Sequence, residues 1–160
     1  MATNVEKAIE IFNQYIGKPE APGEWFQITQ ERINQFADCT LDHQFIHVDP
    51  EKCKTLSPYQ VPIAHGFLTL SMVTHLASSV KAEYLEAYSG MVAGVNYGFE
   101  KVRFPTPVKV DSRIRLVRTL SQAEPKGPNA IQLMHTCNIE VEGESKPACI
   151  AEWLTRIMYS

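Results

Sequence analysis

Several common signals are missing from this chain. Only four cysteines occur in 160 residues, and Cys39, Cys53, Cys137 and Cys149 show neither CxxC spacing nor the density of a disulfide scaffold. They read as reduced, mostly buried thiols. No uninterrupted apolar run approaches the roughly 20 residues of a membrane span, so no membrane partner is expected. Residues Met1 to Lys7 lack a basic region followed by an apolar one, so no secretory signal is expected and the cytoplasm is the expected compartment. A formal charge of −3 lacks the basic surplus of a nucleic-acid binder, and no nucleic acid is expected as a partner. Nucleophile-elbow, Walker-type and dinucleotide glycine motifs are absent, which removes the common signals of serine hydrolases, P-loop proteins and Rossmann domains.

What is present suggests one domain over residues 1–160, with residues 1–20 as an N-terminal helical extension. Val5, Ala8, Ile9, Ile11, Phe12 and Tyr15 have the spacing of an amphipathic helix, with Asn4 as its cap and Gly17-Lys18-Pro19 as its end. Trp25 to Ile28 reads as a short strand. Thr29 reads as the N-cap of a helix that buries Ile33, Phe36 and Ala37. From Cys39 to Pro62 the pattern is a long irregular connection with one helical piece near Pro50 to Leu56, and such a loop is usually functional. Gly66 to about Lys81 is apolar around most of a helical circumference and is expected to be buried.

The second half is rich in Val, Ile, Thr and aromatics. It predicts strands over Met91 to Phe104, Ser112 to Gln122, Ala130 to Val141 and Ala148 to Met158. Pro- and Gly-containing separators predict an antiparallel meander. One buried helix and a long antiparallel sheet make an α+β layout, most economically a hot-dog fold in which the sheet wraps around a central buried helix.

Three features carry chemistry. Asp42 and His47 lie in the long loop among Phe45, Ile46 and Val48, where an imidazole and a carboxylate can be tuned for proton transfer. Gly66 opens the apolar helix, where its N–H has no partner within the helix and lies at the positive end of the dipole, as an oxyanion binder requires. His43 and His47 with Asp38, Asp42 and Asp49 resemble a metal-ligand set only in composition. The HxxxH spacing lies in a loop rather than on a helix, and no metal is expected. Cys39 near these histidines is weaker still as a nucleophile. A basic stretch, Lys101, Arg103, Lys109, Arg113, Arg115 and Arg118, has the charge to meet a small phosphorylated ligand.

The order Asp42-x4-His47-x-Asp49, then Ala64-His65-Gly66, closely resembles the MaoC-like dehydratases and, within them, the (R)-specific enoyl-CoA hydratases. The resemblance continues through Asn96 to Val108 and through Glu142 to Glu152. Gln44-Phe45 stands where many members have Asn-Pro, as in the nodulation-protein-like branch, and leaves acyl-chain preference open. Asp111 stands where a glycine is common. The resemblance implies a homodimer with active sites near the interface, acting on an acyl-CoA and needing no cofactor. Asp42 and His47 would hold a water over the double bond of a trans-2-enoyl-CoA, with Gly66 binding the thioester oxygen. Gln44, His65 and Thr74 are candidates for the substrate pocket. An acyl-CoA thioesterase and a non-catalytic acyl-binding module share this fold and are the alternatives.

Overall fold

A computed structural model describes residues 2–160. Helix α1 (Asn4–Tyr15) is held at its start by a capping box. Thr3 accepts from the Glu6 N–H at 3.2 Å, and the Glu6 carboxylate accepts from the Thr3 N–H at 2.8 Å. The cap is therefore Thr3 and not Asn4, whose side-chain amide instead donates to the Ser160 carbonyl at 3.1 Å. Val5, Ala8 and Phe12 are buried against Leu120, Leu133 and Ile157.

Strand β1 (Phe26–Gln27) leads into α2 (Gln30–Thr40), capped by Thr29 as the sequence predicts. Two short helices follow, α3 (Phe45–Val48) and α4 (Pro50–Leu56), the first of them lying where the sequence reads only loop. The central helix is divided into α5 (Gly66–Ser71) and α6 (Val73–Ala77) rather than running unbroken to Lys81. Hydroxyls account for the difference. Ser71 donates to the Leu68 carbonyl at 2.8 Å, at the joint. Ser78 and Ser79 donate to the His75 and Leu76 carbonyls at 2.6 and 2.8 Å, where the helix ends. Nor is this helix buried all round, since Phe67 is 71% exposed.

Strands β2 (Met91–Arg103), β3 (Arg113–Pro125), β4 (Ala130–Val141) and β5 (Cys149–Tyr159) complete a five-stranded antiparallel sheet of order β1-β3-β4-β5-β2. Only β3, β4 and β5 form the predicted meander; β2 crosses to pair with β5. Its exit at Pro105-Thr106-Pro107 is no hairpin turn. The segment after it pairs elsewhere, with Ala64 N–H donating to the Val108 carbonyl at 2.7 Å and Val110 N–H to the Pro62 carbonyl at 2.9 Å.

On β4 the residues Ile131, Leu133, His135, Cys137, Ile139 and Val141 alternate inward. The inward face near Cys137 and Ile139 packs on Leu68, Met72, Val73 and Leu76 of α5 and α6, so the sheet curls around the central helix as a hot-dog fold does. The residues after α1 run beside β3 and deliver Glu20 into the protein. There Glu20 accepts from Arg118 Nε at 2.9 Å and from the Tyr84 hydroxyl at 2.5 Å, while His135 Nε2 lies 3.0 Å from the same hydroxyl. Glu20 and Arg118 side chains are only 5% and 10% exposed. Removing one partner of such a pair strands a buried charge. Glu20→Ala is expected to cost about 3 kcal/mol in urea unfolding, while Glu124→Ala, which breaks a solvated pair with Lys126, leaves the midpoint nearly unmoved.

Candidate active site

Helix α2 ends at Leu41, whose φ of 62° turns the chain back and starts the loop at Asp42. Gln44 caps α3, and its N–H donates to Asp42 Oδ1 at 3.4 Å. That single turn buries His47. Its carbonyl accepts from Gln30 Nε2 of α2 at 2.8 Å, and its Nδ1 lies 2.7 Å from the Ile63 carbonyl. A carbonyl only accepts, so Nδ1 carries the proton and neutral His47 keeps its lone pair at Nε2. Burial is the main cause holding this imidazole below its ordinary value of 6.5, against the hydrogen bond to Ile63. At neutral pH His47 is therefore poised to accept a proton.

His65 stacks on His47 with ring centroids 3.8 Å apart and an angle of 22° between planes. Its Nε2 donates to the Asp42 carbonyl at 2.9 Å, and the Phe36 ring packs on its other side at 5.0 Å. The buried Nδ1 of His65 has no hydrogen-bond partner among the described residues. Asp42, His47 and His65 each offer a polar atom within 4.8 Å of the others, close enough to share one water or one cation. The Asp42 side is exposed, so Phe45, Ile46 and Val48 shield only the imidazole.

Gly66 follows His65 directly and opens α5. Among the described residues its N–H makes no hydrogen bond, and a Cβ there would lie 3.1 Å from the Phe104 ring. A side chain here would make the Phe104 ring give way by a few tenths of an ångström. Phe104 and Gly66 border a groove of about 290 Å³ with Tyr59, Thr69 and Val108.

The other sequence candidates separate. Asp49 caps α4, accepting from the Lys52 N–H at 2.9 Å, and that bond holds its carboxyl below the usual range. His43 is exposed and bonds Asp38 at 2.8 Å instead of joining His47. Cys39 is exposed on α2, while burial raises the thiols of Cys137 and Cys149 to about 12 and 11. Thr74 lies farther along the central helix, exposed, facing a different cavity, and does not bond back to its own helix. The basic stretch is not a free positive patch. Lys101, Arg113, Arg115 and Arg118 are paired with Glu152, Glu142, Glu140 and Glu20. Sequence reasoning missed the Ile63 carbonyl, which fixes the tautomer of His47 and has no side-chain signature.

A profile of the MaoC like domain matches residues 12–139. The 3-hydroxyacyl-thioester dehydratase Z of Mycobacterium tuberculosis is 42% identical over 140 residues, which cover 88% of this chain and 89% of that relative. Nodulation protein N of Rhizobium leguminosarum is 40% identical over 144 residues, covering 90% and 87%. In fold, the chain resembles the R-hydratase PhaJ1 of Pseudomonas aeruginosa with a TM-score of 0.63 at 18% identity, over 90% of this chain and 81% of that one. A match across most of its length and relatives this close make the chain a member of the MaoC-like dehydratase family, in the branch of nodulation protein N.

Proposed function

We propose that the protein is an (R)-specific enoyl-CoA hydratase, reversibly adding water to a trans-2-enoyl-CoA. The observation that carries this reading is His47, fixed through Nδ1 on Ile63 with Nε2 free, beside the Asp42 carboxylate and stacked on His65, the residue that precedes Gly66. A water held between Asp42 and His47 adds through its oxygen to C3, and the pair takes the proton it loses. The C2–C3 π electrons shift toward the thioester, whose oxygen accepts from Gly66 N–H as it gains enolate charge. Protonation at C2 by the same pair restores the thioester and leaves a 3-hydroxyacyl-CoA. Dehydration runs the same steps backwards. Neither a metal nor a redox cofactor is needed, and activity is expected to survive exhaustive chelation.

A homodimer is part of this proposal, and the edge of the sheet supports it. Strand β2 is 13 residues long and has no buried position, and its Val92, Val95 and Tyr97 are 68%, 45% and 55% exposed. An edge of that length and character favours pairing with a second copy.

Asp42→Asn and His47→Ala are each expected to lower kcat by roughly 100- to 10,000-fold while the circular dichroism spectrum stays native. Full activity in either variant sinks the assignment. Loss of the enoyl absorbance without release of free thiol is the expected signal. Release of free thiol identifies a thioesterase, and neither signal identifies a binding module.

The pH dependence has a definite sign. Because folding lowers the His47 value, the neutral base persists as the pH falls through 6.5. The acid limb of the kcat/KM profile should therefore lie below 6.5, and a limb at or above it contradicts His47 as the base.

A further inference from the structure

His65 touches both residues of the proposed acid–base pair, and no part of it is left for substrate. It is 3% exposed. The groove beside Gly66 is lined by Ala64 and Gly66, its neighbours on either side, but not by His65 itself. Its ring centroid lies 3.8 Å from that of His47 and 5.0 Å from that of Phe36. Of its two nitrogens, Nε2 is taken by the Asp42 carbonyl at 2.9 Å, and Nδ1 is buried without a partner among the described residues.

That one bond decides where Asp42 stands. Leu41, at φ 62°, ends α2, and Asp42 is an exposed residue of the loop beyond it. Among the described residues Asp42 accepts two hydrogen bonds. The Gln44 N–H reaches Oδ1 at 3.4 Å, a long contact, and the His65 bond to the carbonyl is the short one. His47 is fixed by the Ile63 carbonyl and by the stack. His65 therefore holds the carboxylate-bearing residue by its backbone while lying against the imidazole, and so sets the gap across which one water must be shared. Because both accepting groups are carbonyls, the protons fall on opposite nitrogens, Nδ1 in His47 and Nε2 in His65. The two stacked rings are opposite tautomers.

We propose that His65 is a positioning residue, which fixes the separation of Asp42 from His47 and touches no substrate atom. This inference rests on the hydratase reading for the reaction served, and it moves His65 out of the substrate pocket. A misplacement of about 1 Å at such a site costs on the order of 100-fold in rate.

Two substitutions separate this role from packing. His65→Phe keeps a ring against His47 and Phe36 and removes the unsatisfied Nδ1, but it has no N–H for Asp42. Its thermal midpoint should equal or exceed that of the parent protein, with kcat about 100-fold lower and KM within about two-fold. His65→Gln restores an amide N–H near the place of Nε2 without a ring, and should recover about ten-fold in kcat over His65→Phe. Full kcat in His65→Phe overturns the inference. A raised KM at unchanged kcat does so too, because it puts His65 on the substrate, as does a His65→Gln no faster than His65→Phe. Nitrogen-15 NMR of the parent protein needs neither variant nor turnover. It should find the proton of His65 on Nε2 and that of His47 on Nδ1, and a neutral His65 protonated on Nδ1 overturns the inference even if neither variant folds. Failure of the hydratase reading shows instead as an undiminished enoyl absorbance in the parent protein, with both tautomers as expected.

Discussion

The hydrogen bond between His47 Nδ1 and the Ile63 carbonyl is the contact on which the site depends. Ile63 returns the bond through its own N–H to the Ile46 carbonyl at 3.0 Å, so the single turn of α3 is fastened to residue 63 in both directions. Ala64 is bonded to Val108 in turn, and His65 and Gly66 follow in sequence. A four-residue helix has no stability of its own. Its place in the protein is set by this stitching, and with it the position of the proton acceptor relative to the helix start.

From that one arrangement come both orientation and tuning. The tautomer follows because a carbonyl can only accept, and the lowered value follows from burial of the ring, which outweighs the opposing hydrogen bond to Ile63. His65 contributes twice, stacking on His47 and holding the Asp42 backbone with its Nε2. Asp42 stays exposed, as the proposed hydration requires of a carboxylate that meets water and substrate. Phe104 reaches the site from the end of the crossing strand and closes on Gly66, so the departure of β2 from the meander also shapes the groove beside the helix start.

Much of this was readable in the residues themselves. Strands announced themselves by alternation, as on β4, where every second residue from Ile131 to Val141 is buried. Asp42, His47 and Gly66 were legible because they lie within one short stretch whose local chemistry is distinctive. The crossing of β2 was not legible, since prolines that end a strand do not say where the chain goes next. Nor was the joint at Met72, where one serine hydroxyl outweighs apolar periodicity. The cluster of Glu20, Arg118, Tyr84 and His135 was hidden most deeply. Glu20 and Arg118 alone are 98 residues apart, His135 lies farther still, and nothing local in the sequence ties them together. Thr74 was singled out by resemblance, but the cavity it borders became visible only when the sheet and the helices met around it.

The central claim is that the water beside Asp42 and His47 adds to carbon rather than to the thioester carbonyl. Turnover of a trans-2-enoyl-CoA in water enriched in oxygen-18, with products read by mass spectrometry, tests it most directly. The account predicts label in the 3-hydroxyl of an intact acyl-CoA. Label in a free carboxylate alongside free coenzyme A would contradict it.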